Sequence, residues 1–175
     1  MNRPRERNRL SLEMIGGLIS ELEKASDADD VSHVMITGTD DVFSSGADIR
    51  LINEMLENGS AQEFAAIGRS LIEAILSLDK ITIAAVNGLC YGGGLDLALA
   101  CDRRIAAPNA AFCHPGVNRG FITPWGGTQR LPRLTGEAAA LELLLTGEPI
   151  NAEKALRIGL IELITDDLTA AVSAL

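Results

Sequence analysis

The chain has 175 residues, of which 47% are hydrophobic and 3% aromatic, and its formal net charge is −9 at pH 7. This length and apolar fraction exclude a disordered chain and predict one folded domain, residues 1–175, with an aliphatic core. The acidic balance argues against nucleic acid or a membrane surface as the main partner, because both favour a basic face.

No apolar run reaches the roughly 18 residues that a membrane span requires, and no signal-type apolar segment follows the N-terminus. We therefore expect a cytoplasmic protein. The three cysteines, Cys90, Cys101 and Cys113, lie in or beside apolar runs without metal-type spacing. They are predicted to be buried hydrophobic residues, and no metal site is expected.

The first half of the chain predicts helices around one short strand. Ser11 is typical of a helix N-cap, and apolar residues at 14, 15, 18, 19 and 22 follow it at the spacing of one helix face. Residues 31–37 predict a buried strand, and residues 38–45 predict a turn. A helical pattern then begins near Gly46 and is interrupted at residues 58–60, and a second amphipathic helix is predicted over residues 61–78.

Three consecutive glycines, Gly92, Gly93 and Gly94, lie between a predicted strand, Ile81–Val86, and an apolar helix that ends near Ala100. A turn without side chains leaves its backbone N–H groups unshielded at the start of the helix. Such groups can bind a negative oxygen. The alternative interpretation is that the glycines only allow tight packing of strand and helix.

The second half predicts short strands over residues 104–107 and 110–113, then an irregular loop over residues 114–127. Long loops in compact domains are often functional. Helices are predicted at residues 128–134, 137–145 and 152–158, with a last strand at residues 161–165. Alternating strands and helices indicate an α/β fold, but periodicity does not choose between a doubly wound sheet and a spiral.

Four motifs occur in a characteristic order: NRP at residues 2–4 with NRLS at 8–11, FSSGADI at 43–49, the glycine-turn segment at 85–102, and GGTQRL at 126–131. Together they resemble the crotonase family, also called enoyl-CoA hydratase/isomerase. The resemblance implies an α/β, ClpP/crotonase-like fold, a right-handed spiral of ββα units that usually assembles as trimers or hexamers. Because the family's first hairpin and C-terminal helices are not matched, we expect a fragment or a shortened paralogue.

The resemblance implies an acyl-CoA thioester as substrate, with coenzyme A as part of that substrate and no separate cofactor. In the family, two backbone amides bind the thioester oxygen as it becomes enolate-like. The matching positions here are Ala47 and Gly93.

The resemblance also implies residues for coenzyme A. Asp48 and Ile49 match part of the adenine pocket, and Arg3 and Arg5 are candidates for contact with the phosphates, as are the arginines at positions 7 and 50. A chain of net charge −9 needs local cations to bind a polyanion. The alternative for each arginine is a solvated charged edge.

Hydratases of the family carry two glutamates, and this chain departs from both. The first position is Asp96, which is shorter than glutamate by roughly 1.5 Å, and the second is Gly116. We therefore expect weak or absent hydration of simple enoyl-CoA esters. One acid and an oxyanion hole favour isomerisation, thioester or β-diketone hydrolysis, or decarboxylation, three reactions that the sequence does not separate.

Two further residues of the loop are candidates for chemistry. His114 is a possible general base, since imidazole titrates near neutral pH, and Thr123 is a possible hydroxyl donor. Structural roles stay open for His114 and for Asp96, whose place in the first helical turn the helix dipole favours. A catalytically silent acyl-CoA binder or interaction paralogue is the alternative function.

Overall fold

The computed structural model describes residues 1–174, which form two four-stranded sheets and eight α-helices. The strands are β1 (His33–Thr37), β2 (Val42–Ser44), β3 (Ile81–Val86), β4 (Leu89–Tyr91), β5 (Arg103–Ala106), β6 (Ala111–Cys113), β7 (Ile150–Asn151) and β8 (Leu163–Ile164). The helices are α1 (Leu12–Asp27), α2 (Ile49–Glu57), α3 (Ala61–Leu76), α4 (Gly93–Ala100), α5 (Gly127–Thr135), α6 (Glu137–Thr146), α7 (Ala152–Arg157) and α8 (Leu168–Ser173).

The two sheets are built in alternation along the chain. One has the order β1-β3-β5-β8 and is parallel throughout, and the other has the order β2-β4-β6-β7 with only the last pair antiparallel. From β1 to β6, each strand joins the sheet that the previous strand did not. The chain therefore winds as a spiral, as the resemblance implies, and is not a doubly wound sheet.

Elements with a strong local pattern lie where the sequence predicts them. The Ser11 side chain accepts a hydrogen bond from the Met14 amide at 3.2 Å, which confirms the N-cap of α1. Strand β3 has the predicted bounds. The turn predicted over residues 38–45 is wrong in part, because it contains β2, and β4 and β7 were also missed. These strands have two or three residues, too few to show a period.

The N-terminal segment is fastened to β2 by the buried side chain of Asn8. Its Nδ2 donates to the Val42 carbonyl at 2.8 Å, and the amide of Leu10 donates to the Gly46 carbonyl at 2.8 Å. These bonds fix the backbone that runs from β2 into α2. The segment around Gly46 is thereby held against the end of β4.

The core is mainly aliphatic, as predicted. The cysteines Cys90, Cys101 and Cys113 are buried free thiols, which confirms their predicted role as small core residues. No helix in residues 1–174 is long and apolar enough to cross a membrane.

Candidate functional site

The glycine turn joins β4 to α4 at Gly92, whose φ of 53° and ψ of −120° strongly favour glycine. Its amide donates to the Cys113 carbonyl at 2.9 Å, and its carbonyl accepts from the Asp96 amide at 3.0 Å. The turn is therefore anchored on both sides, and the helix begins with the amide of Gly93. Amides in the first turn of a helix have no acceptor within that helix.

The backbone of Gly46 packs directly on this turn. A methyl group built on Gly46 would lie 2.6 Å from the Tyr91 carbonyl oxygen and 3.1 Å from the Gly93 nitrogen. Ala47 and Gly93 consequently line the same cavity, which has a volume of about 360 Å³. Within residues 1–174, neither amide donates a hydrogen bond.

Asp96 lies in the first turn of α4 and is fully buried, yet its carboxylate lines the cavity. The hydroxyl of Thr123 donates to Oδ2. The other oxygen, Oδ1, lies 3.4 Å from Nε2 of His114, which is also buried. Neither of these two atoms has a hydrogen-bond partner in the part of the chain that the structure describes.

Gly127, the first residue of α5, leaves the space that this group of side chains needs. A methyl group there would lie 2.1 Å from Oδ1 of Asp96 and 2.8 Å from Nε2 of His114. The sequence does not reveal this role of Gly127, although the GGTQRL motif contains the residue. The motif shows which residues are present but not which side chains approach them.

Gly116 also lines the cavity and is crowded by the loop that follows it. A methyl group built on Gly116 would lie 2.7 Å from the carbonyl oxygen of Phe121. That oxygen belongs to the backbone and cannot rotate away. Because residue 116 is glycine, it supplies no second carboxylate. A larger residue would fit at this position only if the loop moved.

A sequence model of the family described as enoyl-CoA hydratase/isomerase matches residues 1–171. The chain belongs to the enoyl-CoA hydratase/isomerase family. It is 43% identical over 162 residues to the crotonyl-CoA hydratase of Syntrophomonas wolfei subsp. wolfei, a match covering 92% of this chain and 62% of that protein. It is 41% identical over 160 residues to a probable enoyl-CoA hydratase of Bacillus subtilis, covering 91% and 62%. The chain thus spans about three fifths of these relatives.

Solved structures of the enoyl-CoA hydratase/isomerase family share the fold. An enoyl-CoA hydratase from Bacillus anthracis aligns with a TM-score of 0.90 at 35% identity, covering 98% of this chain and 67% of that one. An enoyl-CoA hydratase from Thermoplasma volcanium aligns with a TM-score of 0.91 at 34% identity, covering 98% and 68%. The predicted family and its α/β crotonase fold are confirmed.

Two of the residues predicted to bind coenzyme A, Asp48 and Ile49, follow Ala47 directly in the chain. Ile49 lines the cavity. Asp48 makes contacts with nearby residues: its Oδ2 lies 3.0 Å from Nε of Arg9 and its Oδ1 accepts from the Arg50 amide at 3.1 Å. Asp48 therefore fixes the start of α2, and binding of adenine by Asp48 and Ile49 stays a prediction.

The predicted phosphate contacts are less well placed. Arg3 forms an ion pair with Glu13 of α1, and neither Arg3 nor Arg5 is among the residues that line the cavity. Arg7 lines it instead, together with Arg119. Phosphate binding by Arg3 and Arg5 stays a prediction, as does phosphate binding by Arg7, which lines the cavity.

Proposed function

We propose that this chain binds an acyl-CoA thioester and stabilises the enolate formed from it. The observation that carries the proposal is one cavity lined by the unengaged amides of Ala47 and Gly93 and by the buried carboxylate of Asp96. Enolate chemistry requires this combination: donors for the oxygen and a base for the adjacent carbon.

The two amides would serve as the oxyanion hole. Gly46 and Gly92 fix their backbones, so little reorganisation is needed when negative charge develops on the thioester oxygen. Removal of one such donor in other enzymes costs about 3 kcal/mol of transition-state stabilisation. The substrate's acyl carbon would then lie beside the N-terminal turn of α4.

Asp96 would carry the proton. Because Thr123 occupies Oδ2, the free oxygen is Oδ1, on the side of His114. In a double-bond isomerisation, Oδ1 takes a proton from the carbon between the alkene and the carbonyl. The electron pair moves to the oxygen held by Ala47 and Gly93, and the proton returns at the far alkene carbon.

The vacant glutamate position decides the preference among reaction classes. Gly116 supplies no second carboxylate, and the Phe121 carbonyl leaves no room for one in this backbone conformation. We therefore favour isomerisation, hydrolysis or decarboxylation, each of which uses one acid with an oxyanion hole, over hydration.

Hydration is the second candidate, and one contact favours it. Nε2 of His114 lies 3.4 Å from Oδ1 of Asp96, so an imidazole is available beside the carboxylate. The relatives at 43% and 41% identity are named hydratases. An imidazole–carboxylate pair can activate water and also return a proton. In this case crotonyl-CoA would be hydrated at a rate that depends on both residues.

An acyl-CoA panel separates these candidates. Crotonyl-CoA hydration, 3-enoyl-CoA isomerisation, thioester hydrolysis and decarboxylation of a malonyl-type ester are each measured for the wild type, Asp96→Asn and His114→Ala. Asp102→Asn is the matched control, because Asp102 accepts hydrogen bonds from Thr82 and does not line the cavity.

We expect turnover of one panel ester that Asp96→Asn lowers about 100-fold or more and that Asp102→Asn retains. Binding of acyl-CoA with no turnover of any ester would indicate a silent binder instead. Unchanged turnover in both site variants would remove Asp96 and His114 from the mechanism. Sedimentation of the same preparation tests the homotrimer or hexamer predicted from the family.

A further inference from the structure

The indole of Trp125 forms one wall of the cavity beside the proposed oxyanion hole. The residue is 2% exposed and lines the cavity. A methyl group built on Gly93 would lie 2.3 Å from its Cζ3, and one built on Gly68 of α3 would lie 1.7 Å from its Cε2. The ring therefore spans the gap between α3 and the start of α4, resting on a glycine at each edge.

A second aromatic ring supports this wall. Phe64 lies one helical turn before Gly68 on α3, lines the same cavity, and has its ring centroid 5.4 Å from that of Trp125. The interplanar angle of 36° and this distance are typical of packed aromatic pairs. The indole is thus packed against a second apolar ring that lines the same cavity.

The main chain of Trp125 is held on both sides. Its amide donates to the Thr123 hydroxyl at 3.3 Å, and its carbonyl accepts from the Arg130 guanidinium at 3.0 Å. Thr123 also donates to Asp96, so one side chain fixes both the carboxylate and the wall. These bonds fix the main chain at Trp125, while packing against Phe64 and the glycines Gly68 and Gly93 restrains the indole itself.

An acyl chain bound at this site would meet the indole soon after its carbonyl. The proposed oxygen donor is the Gly93 amide, and the ring packs so close to that residue that a methyl group on it would overlap the indole. Carbons beyond the reacting pair must therefore pass the ring or displace it. A short chain gains apolar contact with the indole, whereas a long chain encounters a steric limit.

We propose that Trp125 sets the acyl length, so that this chain selects short-chain acyl-CoA thioesters. The inference rests on the proposed acyl-CoA function and adds the substrate class. It assigns to Trp125 a role in specificity and none in proton transfer.

The wild-type chain allows a direct test, because Trp125 is its only tryptophan. Butyryl-CoA and free coenzyme A are titrated while tryptophan emission is recorded, and binding is measured separately by calorimetry. We expect butyryl-CoA to change the emission and free coenzyme A to leave it nearly unchanged. Butyryl-CoA that binds with unchanged emission overturns the inference, and absence of binding by any acyl-CoA overturns the proposed function itself.

A variant pair tests the length limit. Butyryl-CoA and myristoyl-CoA affinities are compared in the wild type, in Trp125→Leu and in Phe112→Leu, since Phe112 is a buried aromatic residue that does not line the cavity. Apolar pockets discriminate by about tenfold or more per mismatched group. We expect the butyryl preference to fall at least about tenfold in Trp125→Leu alone.

Equal affinities for both esters in the wild type contradict the inference, as does an equal change in both variants. If Trp125→Leu does not fold, the affinities of the wild type for the two esters and its tryptophan emission still test the length limit. Binding of neither ester, by contrast, counts against acyl-CoA binding as a whole and not against the length limit.

Discussion

Nε2 of His114 lies 3.4 Å from Oδ1 of Asp96, and within residues 1–174 neither buried atom has a hydrogen-bond partner. A buried polar atom without a partner costs about 1–3 kcal/mol of stability. These two unpartnered atoms therefore lower the stability of the fold. Such an arrangement is typical of a site whose groups act on a ligand.

Asp96→Asn should separate stability from activity. The asparagine can still accept from Thr123, and its amide can donate towards His114, so we expect unfolding free energy to be retained or raised by up to about 1 kcal/mol. Turnover of the preferred ester should fall about 100-fold or more, because a general base contributes that much. Urea unfolding and the ester assay are the measurements. Reduced stability with full turnover would contradict this prediction.

Gly127→Ala should damage the site while leaving the fold intact. Its methyl group would lie 2.1 Å from Oδ1 of Asp96, so the carboxylate must move, and displacements of about 1 Å can cost 100-fold in rate. We expect turnover to fall by about that factor.

The matched control for this substitution is Gly17→Ala in α1, where a methyl group meets nothing within 4 Å. This change should raise the unfolding free energy by about 0.5–1 kcal/mol, because alanine loses less backbone entropy in a helix than glycine does. Equal turnover of the Gly127 and Gly17 variants would show that the site tolerates the extra methyl group.

Gly116→Glu should fail to install hydratase activity. Its Cβ would lie 2.7 Å from the Phe121 carbonyl oxygen, so the loop must shift before the new carboxylate can point into the cavity. Overpacking of this kind costs about 1–3 kcal/mol. We expect urea unfolding to show that loss and crotonyl-CoA hydration to stay at the wild-type level. A variant that is stable and hydrates crotonyl-CoA faster than the wild type would refute the expected crowding.

The sequence predicts those elements of the fold whose signal lies within the element itself. The cap at Ser11 and the β-branched run Ile81–Val86 are local signals, and both elements lie as predicted. Strand β2 is defined instead by pairing with β4, where Val42 lies opposite Leu89. Such short strands are defined by pairing between residues that are distant in the sequence. The local sequence pattern therefore does not predict them.

The candidate site likewise has features that the sequence predicts and features that only the structure shows. Ala47 and Gly93 are identified from motifs, and the structure brings them to one cavity. The crowding of Gly116 depends on a backbone oxygen in a later loop, and the support of Trp125 depends on glycines of two helices. The motifs therefore predict which residues line the site. The room around each residue and its hydrogen-bond partners depend on the three-dimensional structure.

The buried thiols should be inert in the folded chain and should set an alkaline limit to its stability. Burial raises the pKa of Cys101 to about 12 and that of Cys113 to about 11, from an ordinary value of 9.0. At near-neutral pH both groups are protonated and inaccessible, so a thiol reagent should label them only as fast as the protein unfolds.

Above about pH 9, unfolded molecules lose these protons while folded molecules keep them. Because the unfolded state then binds fewer protons, the free energy of unfolding should fall as pH rises from about 9 towards 12. Urea unfolding of the wild type and Cys101→Ala across that range measures the effect. The variant should show the shallower decline, and parallel curves would exclude Cys101 as a source of the alkaline sensitivity.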